Sequence, residues 1–140
     1  MIRAALGAAL TAGLLAGCNA LASQDEQIAA SVKQSTAPVQ TIDAAALAQR
    51  IAAGDVRLVD VRTPEEFAQG HLSGAVNMPI EGFDPAVLAD ADPARVVLYC
   101  RSDRRSGIAA EKLAAATGKP AVHLEGGILA WEAADQPVVR

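Results

Sequence analysis

Cys100 stands where two kinds of sequence meet. Before it runs Arg95-Val96-Val97-Leu98-Tyr99, whose apolar core reads as a buried strand. After it runs Arg101-Ser102-Asp103-Arg104-Arg105-Ser106, followed by the helical pattern Gly107 to Leu113. A thiol between a strand end and a helix start, among cations, is in surroundings that favour the thiolate, which is the nucleophilic form. Backbone amides at the start of a helix have no intrahelical partner and form a cradle for anions. Such a cradle holds a thiolate, a persulfide or the anionic end of a sulfur donor equally well. Arg101, Arg104 and Arg105 add full charges, Asp103 subtracts from that field, and Ser102 and Ser106 offer hydroxyls. A purely structural cysteine has no use for so basic a loop.

Other residues with chemical side chains read as support. Asp60 and Arg62 sit just past a strand and are expected to form an ion pair or loop brace near the site. His71 could serve as a general base, but a thiolate stabilised by its cradle needs none, so a structural role is expected. His123 lies in a strand candidate. Two isolated histidines and one free cysteine do not make a zinc site, and neither metal nor organic cofactor is expected. Glu65 and Glu66 fall in a first helical turn, where acids are stabilising by default. Trp131 is expected in the core.

The elements that must position these groups follow in order. Asp43 caps a helix carrying Leu47, Ile51 and Ala52 and ending at Gly54. Val56 to Val61 is a short strand. Thr63, Pro64 and the acids after them start a short helix stopped by Gly70. Ala75 to Met78 is a second strand, and residues 84–89 form at most two helical turns. Val96 to Tyr99 is a buried strand, Ser106 to Thr117 an amphipathic helix, Ala121 to Leu124 a further strand. Gly126-Gly127 breaks the chain before a last helix through Trp131. Strands alternating with helices predict an α/β fold with a mostly parallel central sheet and helices on both faces. Ligands in such sheets bind outside the carboxyl ends of the strands, where Cys100 falls.

The N-terminus reads differently. Arg3 and the apolar run Ala4 to Leu15 have the form of a signal segment, too short for a spanning helix. Leu15-Ala16-Gly17-Cys18 resembles the bacterial lipobox, which implies cleavage before Cys18 and a lipid on its sulfur. Residues 1–17 are then a signal peptide, 18–40 a lipidated N-terminus and flexible tether, and 41–140 one domain. Loss of Arg3 with the signal moves the formal charge from −4 to −5, which argues against nucleic acid as a partner. With Cys18 lipidated, Cys100 has no disulfide partner in the chain, and an unpaired thiol in an oxidising compartment is a liability unless it is used. The expected location is the bacterial cell envelope, facing the periplasm. Asn19, in place of an Asp associated with inner-membrane retention, tilts the expectation toward the outer membrane.

Four stretches from about Thr41 onward resemble the rhodanese family of sulfurtransferases. They are Leu58-Val59-Asp60-Val61-Arg62-Thr63-Pro64-Glu65-Glu66-Phe67, Gly70-His71-Leu72-Ser73-Gly74-Ala75-Val76-Asn77-Met78-Pro79, Tyr99 through Ser106, and Leu124-Glu125-Gly126-Gly127-Ile128-Leu129-Ala130-Trp131. The resemblance implies a rhodanese-like fold and a thiosulfate sulfurtransferase type of enzyme. Cys100 would take a sulfane sulfur from a small anionic donor such as thiosulfate and hold it as a persulfide. A thiol or cyanide acceptor would then remove it, with Arg101, Ser102, Asp103, Arg104, Arg105 and Ser106 binding the donor. Related single-domain proteins often have Gly where this chain has Asp103. Asp is among the better substitutes at positive φ, so the loop is expected to form, with the acid weakening anionic donor binding.

Two other readings stand beside this one. Phosphatases and arsenate reductases of related fold have Cys, five residues, then Arg. Here that position is Ser106, and a loop of six residues from Cys100 to Arg105 suits sulfur better than a phosphoryl group. The non-enzymatic alternative is a lipid-anchored binding or redox-sensing module, which retention of the cysteine disfavours.

Overall fold

The computed structural model describes residues 37–140. The expected signal peptide and the lipidation site Cys18 lie outside these residues. The described residues form five strands and four α-helices in the order β1 (Val39–Ile42), α1 (Ala44–Ala52), β2 (Arg57–Asp60), α2 (Pro64–Gln69), β3 (Val76–Asn77), β4 (Val96–Tyr99), α3 (Arg104–Thr117), β5 (Ala121–Leu124) and α4 (Gly127–Ala133). Three 3₁₀ turns, Ile80–Gly82, Pro85–Leu88 and Pro93–Arg95, fill the long connection from β3 to β4. No helix among the described residues is long and apolar enough to cross a membrane.

Local chemistry sets the helix starts. The Asp43 carboxylate accepts from the Ala46 N–H at 2.7 Å. At α2 the Glu66 N–H donates to Thr63 Oγ1 at 3.3 Å while the Thr63 N–H donates to Glu66 Oε2 at 3.2 Å, a reciprocal cap ahead of Pro64.

The sheet is wholly parallel in the order β1-β5-β4-β2-β3. Parallel strands are buried on both faces and read as continuous apolar runs, as Val96 to Tyr99 does. Alternate residues serve two cores. On one face Val59, Val96, Leu98 and Cys100 pack with Ala109, Ala110 and Leu113 of α3. On the other, Leu58, Val97, Tyr99 and Leu124 pack with Leu47 of α1 and Ile128 and Trp131 of α4. Trp131 is therefore a core residue, its Nε1–H donating to the Pro137 carbonyl at 2.9 Å.

Two boundaries differ from expectation. β1 starts inside the stretch read as tether: Val39 and Gln40 pair with Ala121 and Val122 of β5, so the domain starts before Thr41. The four residues Val-Gln-Thr-Ile carry no alternation strong enough to mark a strand, which forms because β5 offers an edge. α3 begins at Arg104 rather than Ser106, which moves Arg104 and Arg105 from loop into the first helical turn.

Candidate active site

Cys100 directly follows the last residue of β4 and has 1% of its surface exposed. The chain then turns through Arg101, Ser102 and Asp103 into α3. Arg104, Arg105 and Ser106 form the first turn, where N–H groups have no carbonyl four residues back to donate to. At this terminus lies an open cleft of about 420 Å³, lined by Ile80, Glu81, Cys100, Arg101, Ser102, Arg104, Arg105 and Ile108. Four of the six residues expected to bind donor, Arg101, Ser102, Arg104 and Arg105, thus share the cleft with the thiol. Asp103 and Ser106 do not line it. Asp103 turns toward His123, with its Oδ1 3.2 Å from His123 Nδ1, and the buried Ser106 hydroxyl is directed inward. The expected positive φ at position 103 is also corrected. Asp103 has φ −168°, an extended value open to any residue, so glycine is not needed there.

The three arginines are not equivalent. Arg105 forks onto Glu66, Nη1 to Oε2 at 2.7 Å and Nη2 to Oε1 at 2.8 Å. These bonds hold the Glu66 carboxyl at about 2, against an ordinary 4.5, with the Thr63 cap assisting. The same bonds raise the Arg105 pKa. The sequence marks Glu66 only as a first-turn acid; its place opposite Arg105 depends on the first turns of α2 and α3 coming together 39 residues apart in the chain, which local sequence does not carry. Among the described residues Arg101 and Arg104 enter no salt bridge and are exposed to solvent at the cleft.

The loop is held from behind by α4. The Ile128 N–H donates to the Cys100 carbonyl at 2.9 Å and the Leu129 N–H to the Arg101 carbonyl at 3.2 Å. Gly127, at φ +60°, lies against the same carbonyls. Gly127 of the last signature therefore belongs to the site through backbone contact.

Asp60 and Arg62 form a brace beneath the neighbouring strand ends. Both are buried, with Arg62 Nη2 2.6 Å from Asp60 Oδ2 and Nε 3.0 Å from both carboxylate oxygens. The Arg62 N–H also donates to Asp60 Oδ1, and Nη2 to the Gly70 carbonyl at 2.7 Å. Burial opposes the guanidinium charge, but the Asp60 bonds outweigh it and raise the Arg62 pKa. Asn77 ties the carbonyls of residues 60 and 62 with its side-chain amide. The guanidinium lies 5.8 Å from the Tyr99 ring centroid. Burial pushes the Tyr99 phenol up, and its oxygen accepts from the Leu72 N–H at 3.1 Å. His71 stacks on Phe67 at 3.7 Å between centroids, and its Nδ1 is 2.9 Å from the Phe67 carbonyl. Its backbone bridges to Val139, away from the cleft lining.

His123 is the residue whose place the sequence reading missed. It shares the face of β5 that Ala121 presents to α3, and its buried ring lies 3.4 Å through Nδ1 from Ser106 Oγ. Strand parity was the available signal: residue 123 faces as residue 121 does, and Leu98 is its register partner in β4.

Comparison with known proteins agrees with this geometry. The rhodanese-like domain family matches residues 43–134. A sulfurtransferase from Allochromatium vinosum is 40% identical over 103 residues, covering 72% of this chain and 95% of that protein. An uncharacterized Synechocystis protein is 44% identical over 85 residues, and the match spans 48% of its length, about half of that relative. Among solved structures, the thiosulfate sulfurtransferase from Pseudomonas aeruginosa superimposes with a TM-score of 0.63 at 29% identity, over 74% of this chain and 20% of that one. A rhodanese-related protein from Thermoplasma volcanium does so at 0.58 and 28%, over 71% and 97% of the two chains. With its parallel sheet, its cysteine at the carboxyl end of β4 and most of its length covered by the family, this chain belongs to the rhodanese-like domain family.

Proposed function

We propose that the protein is a sulfurtransferase that carries sulfane sulfur on Cys100. The observation that carries this reading is the placement of the thiol at the carboxyl end of β4, in one cleft with Arg101 of the following turn and Arg104 at the start of α3. The Cys100 thiolate attacks the outer sulfur of thiosulfate. The sulfur–sulfur bond of the donor breaks, sulfite leaves with the electron pair, and Cys100 becomes a persulfide. An acceptor thiolate or cyanide then attacks the terminal sulfur, and Cys100 departs as thiolate. Two half-reactions through a covalent intermediate imply ping-pong kinetics. The free N–H groups at the start of α3 and the two unpaired guanidinium groups suit a dianionic donor and a negatively charged persulfide. Sulfurtransferase relatives support the reaction class.

We further propose that the chain is anchored through a lipid on Cys18, from the Leu15-Ala16-Gly17-Cys18 motif. Cys18→Ala should then abolish labelled fatty-acid incorporation and release the protein from membranes. Unchanged membrane retention without label would refute the anchor.

The sulfur-carrier reading is tested by mass. The full chain incubated with thiosulfate should gain one sulfur on the Cys100 peptide, about 32 Da, removable by cyanide and absent in Cys100→Ser. No adduct with thiosulfate, mercaptopyruvate or a persulfide donor would overturn it.

A further inference from the structure

Ser106 has one hydroxyl proton and three acceptors within reach. Its Oγ is 3.5 Å from Cys100 Sγ, 2.9 Å from the Asp103 carbonyl and 3.4 Å from His123 Nδ1. Whether the ring competes for that proton depends on the state of the histidine. A ring nitrogen carrying a lone pair competes for it; one carrying a hydrogen does not. Asp103 decides that state. Its Oδ1 lies 3.2 Å from the same Nδ1, and a carboxylate only accepts. The hydrogen therefore sits on Nδ1 and faces Asp103, so the nitrogen does not compete, and the choice is left between the neutral Asp103 carbonyl and the sulfur, which as a charged thiolate is the stronger acceptor.

We propose that Asp103 and His123 are positioning residues that direct the Ser106 hydroxyl to the Cys100 sulfur. The hydroxyl then donates to the thiolate once the thiol proton has left to water, and to the same sulfur when it carries its extra atom. Among the described residues Asp103 is the one acidic group within salt-bridge distance of the imidazole. Thr41 and Leu98 flank His123 in the sheet, and Ser106 and Gly107 cover it from α3. The role differs in sign from that of a bare acid near a thiolate. A carboxylate acting through space disfavours the thiolate, so its removal would raise reactivity. The Asp103 side chain is 56% exposed, so that through-space effect is screened and the hydrogen-bond effect dominates.

The proposal rests on Cys100 as the reacting thiol but not on any sulfur donor, so it is tested by alkylation. The full chain is treated with iodoacetamide across a pH series, and modification is followed at the Cys100 peptide. Asp103→Ala should slow alkylation at pH 7 by about two- to tenfold and move the profile to higher pH. Asp103→Asn, whose amide oxygen still accepts from Nδ1–H, should retain most of the wild-type rate. In a His123→Leu background, Asp103→Ala should have no further effect. Faster or unchanged alkylation in Asp103→Ala, equal rates for the Ala and Asn variants, or the same slowing without His123 would each overturn the proposal. Should His123→Leu fail to fold, the comparison of Ala with Asn at the exposed position 103 decides alone. A wild-type chain that alkylates as described yet forms no persulfide would refute the sulfur-carrier reading and leave this one standing.

Discussion

A Cβ on residue 127 would stand 2.5 Å from the Cys100 carbonyl oxygen. Gly127 and Cys100 therefore meet backbone to backbone, at the point where β4 gives way to the cleft. The contact explains why a glycine far along the chain belongs to the same site as the thiol. It sets the height of the loop over the sheet, while the Ile128 and Leu129 amides fix its direction.

Gly127→Ala should consequently damage the site more than the fold. The added methyl meets backbone on the loop, which has no side-chain freedom with which to yield, and φ +60° is strained for alanine. A destabilisation of about 1–3 kcal/mol is expected in chemical denaturation. Persulfide formation in the folded protein should fall at least about tenfold as the cleft is displaced. A variant with wild-type transfer rates would show that the loop tolerates a shift.

Glu66→Gln tests the fork that holds Arg105. Glu66 titrates at about 2 when folded and near 4.5 ordinarily, so its contribution is fully present above the higher value. It is lost as pH falls toward the lower one, because the unfolded chain takes up the proton first. Allowing for solvent screening at this half-buried pair, the contribution is about 1–2 kcal/mol. Denaturation midpoints of wild type and Glu66→Gln should differ by a constant amount from pH 5 to 7 and converge toward pH 2. A difference that persists at pH 2 would assign the effect to packing instead.

Much of this arrangement was legible because the chemistry is local. The run Val96 to Tyr99, the polar turn after Cys100 and the cap at Thr63 each declare themselves within a few residues. So did the Asp60–Arg62 pair, two residues apart on one strand end. What stayed hidden depends on elements meeting in space. Glu66 acquires Arg105 as partner only once the fold brings the first turns of α2 and α3 together, and His123 acquires Ser106 and Asp103 only when β5 lies next to β4. The error at Asp103 had another cause. Comparison with chains that carry glycine there points to a left-handed backbone, whereas the position is extended and its side chain faces a histidine that local sequence does not place.

Breaking the Asp60–Arg62 brace from one side should be severe. Arg62→Met leaves a fully buried carboxylate without its cation, and loss of one partner of a buried pair costs about 3–5 kcal/mol. The double variant Asp60→Asn with Arg62→Met removes both charges and should recover part of that loss. Neither residue lines the cleft, so the folded fraction of each variant should load sulfur at the wild-type rate. Additive losses in the double variant would mean that the two residues act separately.

Arg101 and Arg104 should set donor affinity, and Arg105 should not to the same extent. All three line the cleft, but Arg105 already spends its guanidinium on Glu66, leaving less charge for a bound anion. Arg104 also sits in the first turn of α3, where its charge adds to the partial positive charge of the helix terminus. Arg104→Ala should therefore raise KM for thiosulfate about three- to tenfold, Arg101→Ala by a similar factor, with kcat for a neutral acceptor changed less. Because both side chains are exposed, the increase should shrink as salt is raised from about 0.01 M to 0.5 M, over which the screening length falls several-fold. Arg105→Ala should act differently, lowering stability by an amount that Glu66→Gln already accounts for, so the two losses should not add. A larger rise in KM for Arg105→Ala than for Arg104→Ala would show that the fork opens when donor binds.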